Sequence, residues 1–239
     1  MNFDVCLSPA LLPLTELKEK TVVVADILRA TSTMIAGFAA GVISVKPVAS
    51  IEECLNYERD FNTLISGERN GEKLEGFDLG NSPFEFMQAG GKEIVMTTTN
   101  GTQAIEQSRS AAVILIGAFL NISAVADEVR RLKRDVVVVC AGWKGQFNLE
   151  DTLFGGALYE ELAQDVTSFT DASLAARYLY QQASKDPVGF LQNSSHFIRL
   201  EHKNLSNDVE FCFKKNLYDI VPVFDGKKLV ICEQMITNK

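Results

Sequence analysis

The amino-acid sequence predicts an α/β fold: a three-layer α/β/α arrangement around a mixed, mostly parallel sheet with a C-terminal β-hairpin, in a single domain over residues 1–239. Three observations lead there. Short apolar, β-branched runs such as TVVVA at 21–25, AVILIG at 112–117 and DVVVVC at 135–140 read as strands buried on both faces. These runs alternate with helical stretches, the pattern of a sheet covered on each side. Asp225-Gly226, between VPVF and KLVIC, signals a hairpin that adds antiparallel strands. With 46% hydrophobic content the chain can bury one large core, and no internal repeat, low-complexity tract or linker divides it.

In order, FDVCL at 3–7 is a strand, and the Pro9–Pro13 segment turns the chain into a central strand at 22–28. A helix follows from Met34 to Gly41, then a strand from Val42 to Ala49 in which Pro47 suggests an edge or a bulge. Ser50 opens a helix with Glu53 in the capping-box position. Thr63 to Ser66 is a short strand that leads into the polar loop GERNGEKLEGFDLGN. Ser82-Pro83-Phe84-Glu85 supplies an N-cap, an N1 proline and an N3 glutamate, so a helix begins there with Glu85 as a capping residue. EIVMTT at 93–98, the turn at 99–102 and a helix to Arg109 precede AVILIG, a helix over Asn121–Lys133 and DVVVVC. Helices are expected at 148–164, 171–185 and 187–192, and VEFCF at 209–213 reads as a strand ahead of the hairpin.

Composition narrows the function. The net charge of −8, without any Lys/Arg block, disfavours nucleic acid as a partner. No apolar run approaches the ~20 residues of a membrane span, and MNFDVCLSPA lacks the regions of a signal peptide, so a cytoplasmic protein is expected. Cys6, Cys54, Cys140, Cys212 and Cys232 form no CxxC pair and read as buried free thiols. With only His196 and His202, a three-His zinc centre cannot be built; a metal site would use oxygen ligands, which favours Mg²⁺.

In such sheets ligands sit beyond the carboxyl ends of the strands. Four consecutive strand ends there carry the polar residues that no strand core would hold: DILRATST, GERNG with GFDLGN, TTNGT, and AGWKGQFNLED. They offer the carboxylates Asp26, Glu68, Asp78, Glu150 and Asp151, the cations Arg29, Arg69 and Lys144, and donors from Thr31, Thr99, Asn100, Gly101 and Thr102. Such a gathering suits a metal-bridged phosphate better than an apolar substrate. Each residue also has a purely structural alternative. Thr31 can cap a helix, Asp26 and Arg29 can pair with each other, Asn148 and Asp151 can be an N-cap and an N3 carboxylate, Asn100-Gly101 a turn, Lys144 a solvated charge, and Glu68 with Arg69 a surface pair.

The stretches VVVADILRATSTM, GERNGEKLEGFDLGNSP, TTTNGTQA and VVCAGWKGQFNLEDTLFGG resemble, in order and spacing, the motifs of the 2-phosphosulfolactate phosphatase family. The tail SSHFIRLEHKNLSNDVEFCFKKNLYDIVPVF resembles that family's C-terminal signature at Ser195, Arg199, Leu200, Asp208 and the VPV of 221–223. The resemblance implies a Mg²⁺-dependent enzyme on a three-layer fold, hydrolysing phosphosulfolactate to sulfolactate and phosphate on the route to coenzyme M. Phe197 and Ile198 stand where the family pattern leads one to expect glycine and arginine, a departure that bears on the acidic end of the substrate.

For such a reaction the site must neutralise the phosphoryl oxygens and orient a nucleophile in line. Mg²⁺ is expected on a subset of Asp26, Glu68, Asp78, Glu150 and Asp151, with Asp26, Arg29 and Glu68 as the catalytic core. The small anionic substrate would be held by Arg29 and by Thr31, Thr99, Asn100, Gly101 and Thr102, with Arg69, Lys144 and Arg199 for its sulfonate and carboxylate. The nucleophile is either water or Asp26; Leu28 stands where common aspartyl-phosphate formers carry a second aspartate, which favours water. A non-catalytic binder of a phosphorylated metabolite would not need five carboxylates. A dinucleotide-dependent oxidoreductase would need a GxGxxG after a strand, and none follows. The sequence leaves open whether the chain forms a homo-oligomer.

Overall fold

A computed structural model describes residues 1–231; Cys232, expected as a buried thiol, lies outside the described residues. Strands β1 (Asn2–Cys6), β2 (Thr21–Ala25), β7 (Val113–Gly117) and β8 (Val136–Cys140) lie side by side, every pair parallel. Every residue of β2 and β8 is buried, so both faces of the sheet are covered there. This is the α/β architecture expected from their unbroken runs of β-branched residues.

The remaining strands are β3 (Ser44–Pro47), β4 (Thr63–Arg69), β5 (Glu72–Lys73), β6 (Glu93–Thr97), β9 (Ser168–Phe169), β10 (Pro222–Phe224) and β11 (Leu229–Ile231). Among the described residues the sheet has eleven strands in the order β5-β4-β6-β3-β11-β10-β7-β2-β8-β1-β9. The C-terminal hairpin is therefore not an appendage. It sits mid-sheet, antiparallel to β7 through Val223 opposite Leu115 and to β3 through Leu229 opposite Val45, and so joins the parallel set β4-β6-β3 to the parallel set β7-β2-β8-β1-β9. Its tight turn has Gly226 and Lys227 at the tip, one residue on from Asp225-Gly226: the Asp225 N–H donates to the Lys228 carbonyl at 3.0 Å, and the Asp225 carboxylate accepts the N–H groups of both Lys227 and Lys228 at 2.8 Å.

The helices are α1 (Ala30–Ala39), α2 (Ile51–Leu55), α3 (Pro83–Phe86), α4 (Gly101–Gln107), α5 (Ile122–Leu132), α6 (Leu149–Glu161), α7 (Asp171–Ala183), α8 (Pro187–Leu191), α9 (Ser195–Glu201) and α10 (Ser206–Cys212). Several boundaries move for local reasons. The central strand stops at Ala25, not at residue 28, because the Asp26 carbonyl accepts the N–H and the hydroxyl of Thr31, both at 3.0 Å, and turns the chain directly into α1. Pro47 lies neither at a sheet edge nor in a bulge. It ends β3, an interior strand between β6 and β11, where its missing N–H interrupts nothing.

The capping expectations are met in altered form. Ser50 Oγ accepts the Glu53 N–H at 3.0 Å, while Glu53 returns a bond to the N–H of Ala49. Glu85 reaches back to the N–H of Gly80 at 2.6 Å. VEFCF is not a strand. It ends α10, where Val209 and Cys212 share a helical face against the core, a one-turn spacing that five apolar residues do not reveal on their own.

Candidate active site

Two tight turns frame a cleft at the carboxyl ends of β2, β4, β6 and β8. Asn70-Gly71 joins β4 to β5, and Lys144-Gly145 joins Trp143 to Gln146; all four residues have positive φ, the condition of a type I′ hairpin. The first turn brings the Gly71 carbonyl to the cleft, the second the Trp143 ring. The Asn100 side chain ties the second turn to α4, accepting the Lys144 N–H at 3.0 Å. The cleft encloses about 450 Å³ including its mouth, and its walls carry Asp26, Arg29, Asn81, Trp143, His196 and Arg199.

The carboxylates expected at the site divide by what already binds them. Glu68 is fully engaged: one oxygen accepts the N–H and hydroxyl of Thr99, at 3.1 and 2.9 Å, and the other accepts the Gly71 N–H at 2.7 Å. It thereby joins the β4 turn to the loop after β6. Asp151, buried in the first turn of α6, accepts the N–H groups of Ile27 and Gly142 and the Asn148 amide, at 2.8 to 3.0 Å, and so joins the loops after β2 and β8. Burial, then Asp26 and Glu150, pushes its carboxyl well above the usual range. Asp78 does not reach the cleft. It pairs with Arg59 at 2.8 Å and accepts the Ile65 N–H, half exposed on the flank of β4.

Asp26 and Glu150 are different. Asp26 is 7% exposed, and among the described residues its carboxylate accepts a single long bond, from the Ala30 N–H at 3.3 Å. Burial pushes its carboxyl up to about 6; His196 opposes the shift, while Glu68 and Glu150 add to it. Gly101, the first residue of α4, lies directly beneath it: a Cβ there would stand 2.7 Å from Asp26 Oδ2 and from Ala30 Cβ. Only glycine admits this approach. Glu150 Oε1 is shared by His196 Nδ1 and the Asn148 amide, and Oε2 is buried without a partner among the described residues.

The cations also sort. Arg29, 4% exposed, donates to Asp208 of α10 and to the Gly71 carbonyl at 3.1 Å, so two of its five N–H donors are engaged at the cleft wall. Arg199 of α9 stacks its guanidinium 3.8 Å from the centre of the Trp143 ring, with Nη2 buried and without a hydrogen-bond partner among the described residues; burial lowers its pKa and Glu150 opposes that. Arg69 folds against its own strand, donating to the Glu68 carbonyl at 2.6 Å and to Thr97 at 3.2 Å. Lys144 is exposed, its Nζ 4.6 Å from the Trp143 ring centre, beside a neighbouring hollow that also touches Thr99 and Asn100.

Thr31 is occupied in the turn into α1. Thr102 exchanges bonds with Thr98, each hydroxyl accepting the other's N–H, at 3.1 and 3.2 Å, which caps α4. Thr99 and Asn100 line the cleft.

Comparison with known proteins follows the same line. The profile of the 2-phosphosulpholactate phosphatase family matches residues 6–227. The chain belongs to the 2-phosphosulfolactate phosphatase family. A relative in Caldanaerobacter subterraneus subsp. tengcongensis, named probable 2-phosphosulfolactate phosphatase, is 41% identical over 87% of this chain and 88% of its own length. Relatives of the same name in Clostridium tetani and Thermotoga maritima are 39% and 41% identical, over 94% and 92% of this chain and 97% and 96% of their own lengths. The family is one of phosphoric monoester hydrolases, the enzyme class expected from the resemblance.

For a 2-phosphosulfolactate phosphatase family member, the cleft adds three residues that sequence reasoning did not assign to a site. Asn81 ends the polar loop, its Oδ1 buried and without a partner among the described residues. Trp143 is the sole tryptophan of the chain. His196 is one of two histidines, and that scarcity was the available signal. Among the described residues no three His, Cys, Asp or Glu side chains gather to cage a metal ion, and no helix is long and apolar enough to cross a membrane.

Proposed function

We propose that this chain hydrolyses 2-phosphosulfolactate, or a similarly small acidic phosphomonoester, to the alcohol and phosphate in this cleft, with Mg²⁺ as cofactor. One observation carries the reading: the cleft sets a weakly satisfied buried carboxylate, Asp26, among two guanidinium groups, Arg29 and Arg199, that keep donors for an anion. An ester that carries a phosphate dianion, a sulfonate and a carboxylate, four negative charges when fully ionised, needs cations at both ends, and an arrangement of this kind supplies them.

The donor set fits a hard cation. Among the described residues Asn81 Oδ1 is a buried acceptor without a donor, and Asp26 is a carboxylate with little else to bind. Mg²⁺ is characteristically held by one or two carboxylates plus the substrate phosphate, not by a full protein cage. Asp26 and Asn81 are the residues that would hold it; Glu68 and Asp151 are spent on backbone N–H groups, and Glu150 is balanced by His196. Bound there, Mg²⁺ would supply positive charge to the phosphoryl oxygens as negative charge develops on them.

The chain's own groups do the rest. Arg29, held in its plane by Asp208 and the Gly71 carbonyl, clamps the phosphoryl group; Thr99 and Asn100 close the wall behind it. Arg199, backed by Trp143, meets the sulfonate or carboxylate. Water is the nucleophile, since residue 28 is leucine and offers no second carboxylate to an aspartyl-phosphate cycle. Phosphate release from 2-phosphosulfolactate and from a panel of small acidic phosphomonoesters, with Mg²⁺ and with EDTA, tests the reading. Release from none of them would overturn it.

A further inference from the structure

An alkyl phosphomonoester has a poor leaving group: when the P–O bond breaks, its electron pair stays on an alkoxide unless a proton arrives with it. Guanidinium groups cannot give one up, which removes Arg29 and Arg199 from consideration. Both oxygens of Glu68 are taken up by the three bonds it accepts from Thr99 and Gly71. Asp26 is engaged with the cation in the reading above, so among the described residues one imidazole is left on the cleft wall.

His196 is held there from two sides. Ser194 caps α9 through the Phe197 N–H at 3.2 Å, Phe197 and Leu200 are buried, and His196 lines the cleft beside Arg199 and Leu200 on the same helix. Its Nδ1 is taken by Oε1 of Glu150, a carboxylate 1% exposed and itself positioned by the Asn148 amide at 3.1 Å. With Nδ1 committed to that carboxylate, Nε2 is the ring nitrogen left to face a ligand in the cleft.

We propose that His196 is the general acid of the hydrolysis, with Glu150 as its positioning residue; this rests on the hydrolytic reading above. The water oxygen forms a bond to phosphorus as the bridging P–O bond breaks. The electron pair of that bond stays on the bridging oxygen, which takes the Nε2 proton and leaves as the alcohol. The proton shed by the attacking water returns to the imidazole, so the net change is ester plus water to alcohol plus hydrogen phosphate.

The test uses the dependence on leaving group. Wild type and His196→Gln are compared on 2-phosphosulfolactate, whose alcohol must be protonated, and on p-nitrophenyl phosphate, whose phenolate leaves unaided. The variant should lose about a hundredfold or more in kcat on the first substrate and stay within about threefold on the second. Glu150→Gln should show the same selective loss, smaller in size. On 2-phosphosulfolactate alone, the isotope effect of ¹⁸O at the bridging position should rise in His196→Gln, because protonation no longer offsets the loss of bonding. Equal losses on both substrates, or an unchanged isotope effect, would overturn the proposal. Wild-type turnover of the alkyl ester is read separately and tests the hydrolytic reading itself.

Discussion

Arg29 and Asp208, 179 positions apart, form a buried ion pair that fastens α10 to the turn between β2 and α1. A second Arg29 nitrogen holds the Gly71 carbonyl, so one guanidinium joins three chain segments at the cleft wall. Asp208→Ala would leave that charge buried and unpaired, at a cost of about 3 to 5 kcal/mol, seen as a lowered urea midpoint at unchanged slope. Arg29→Lys should lose at least about tenfold in kcat/KM, because an ammonium cannot serve three directions in one plane. Near wild-type kcat/KM in Arg29→Lys would assign Arg29 to the fold alone.

Asp26 should trade stability for activity. Its carboxyl stands at about 6 in the folded protein, above the ordinary 3.8, so folding favours its protonated form. At low pH both states are protonated and the residue costs nothing; as pH rises from about 4 through 6 the unfolded chain ionises more readily, and stability is lost. Above about pH 7 the cost reaches roughly 3 kcal/mol without metal. Asp26→Asn in EDTA should therefore be inactive yet melt several degrees higher than wild type at pH 8, with the gap closing towards pH 4. An equal gap at both ends would show that ionisation is not the cause.

Metal removal should separate chemistry from fold. EDTA should abolish phosphate release without altering the circular dichroism, and added Mg²⁺ should raise the melting temperature of wild type but not of Asp26→Asn. A shift of equal size in both proteins would place the cation elsewhere.

Arg199 and Trp143 should govern discrimination. Arg199→Ala should cost about 1.5 to 3 kcal/mol, roughly ten- to a hundredfold in kcat/KM, on the sulfonated substrate and little on a neutral phosphomonoester. Trp143→Leu should give a weaker effect of the same selectivity, since it removes the stacking partner 3.8 Å away and leaves the charge. Parallel losses on both substrates would move Arg199 to the phosphate.

Gly101→Ala tests the floor of the site. The added methyl would meet Asp26 Oδ2 at 2.7 Å, so activity should fall more than about tenfold while the helical signal persists. Full activity would mean that the carboxylate can swing aside at no cost.

The sequence by itself determined the architecture and the place of the cleft. Runs such as TVVVA and VVVVC carry their burial in their composition, and polar residues after a strand of that kind can lie only at its end. It could not determine which polar group is spent and which is left over. Glu68, Glu150 and Asp151 read alike as carboxylates near strand ends, yet two are consumed by backbone N–H groups and one holds a histidine that arrives from 46 positions away. Asp78 lies in the same polar stretch as Glu68 but pairs outward with Arg59. VEFCF became a helix for the same reason, because Phe211 packs against Phe84 of α3 and the preceding Asp208 pairs with Arg29, contacts no local pattern specifies. Strand and turn propensities act over a few residues and are legible in order; hydrogen-bond satisfaction and charge balance are settled between residues distant in sequence, and exist only once the chain has folded.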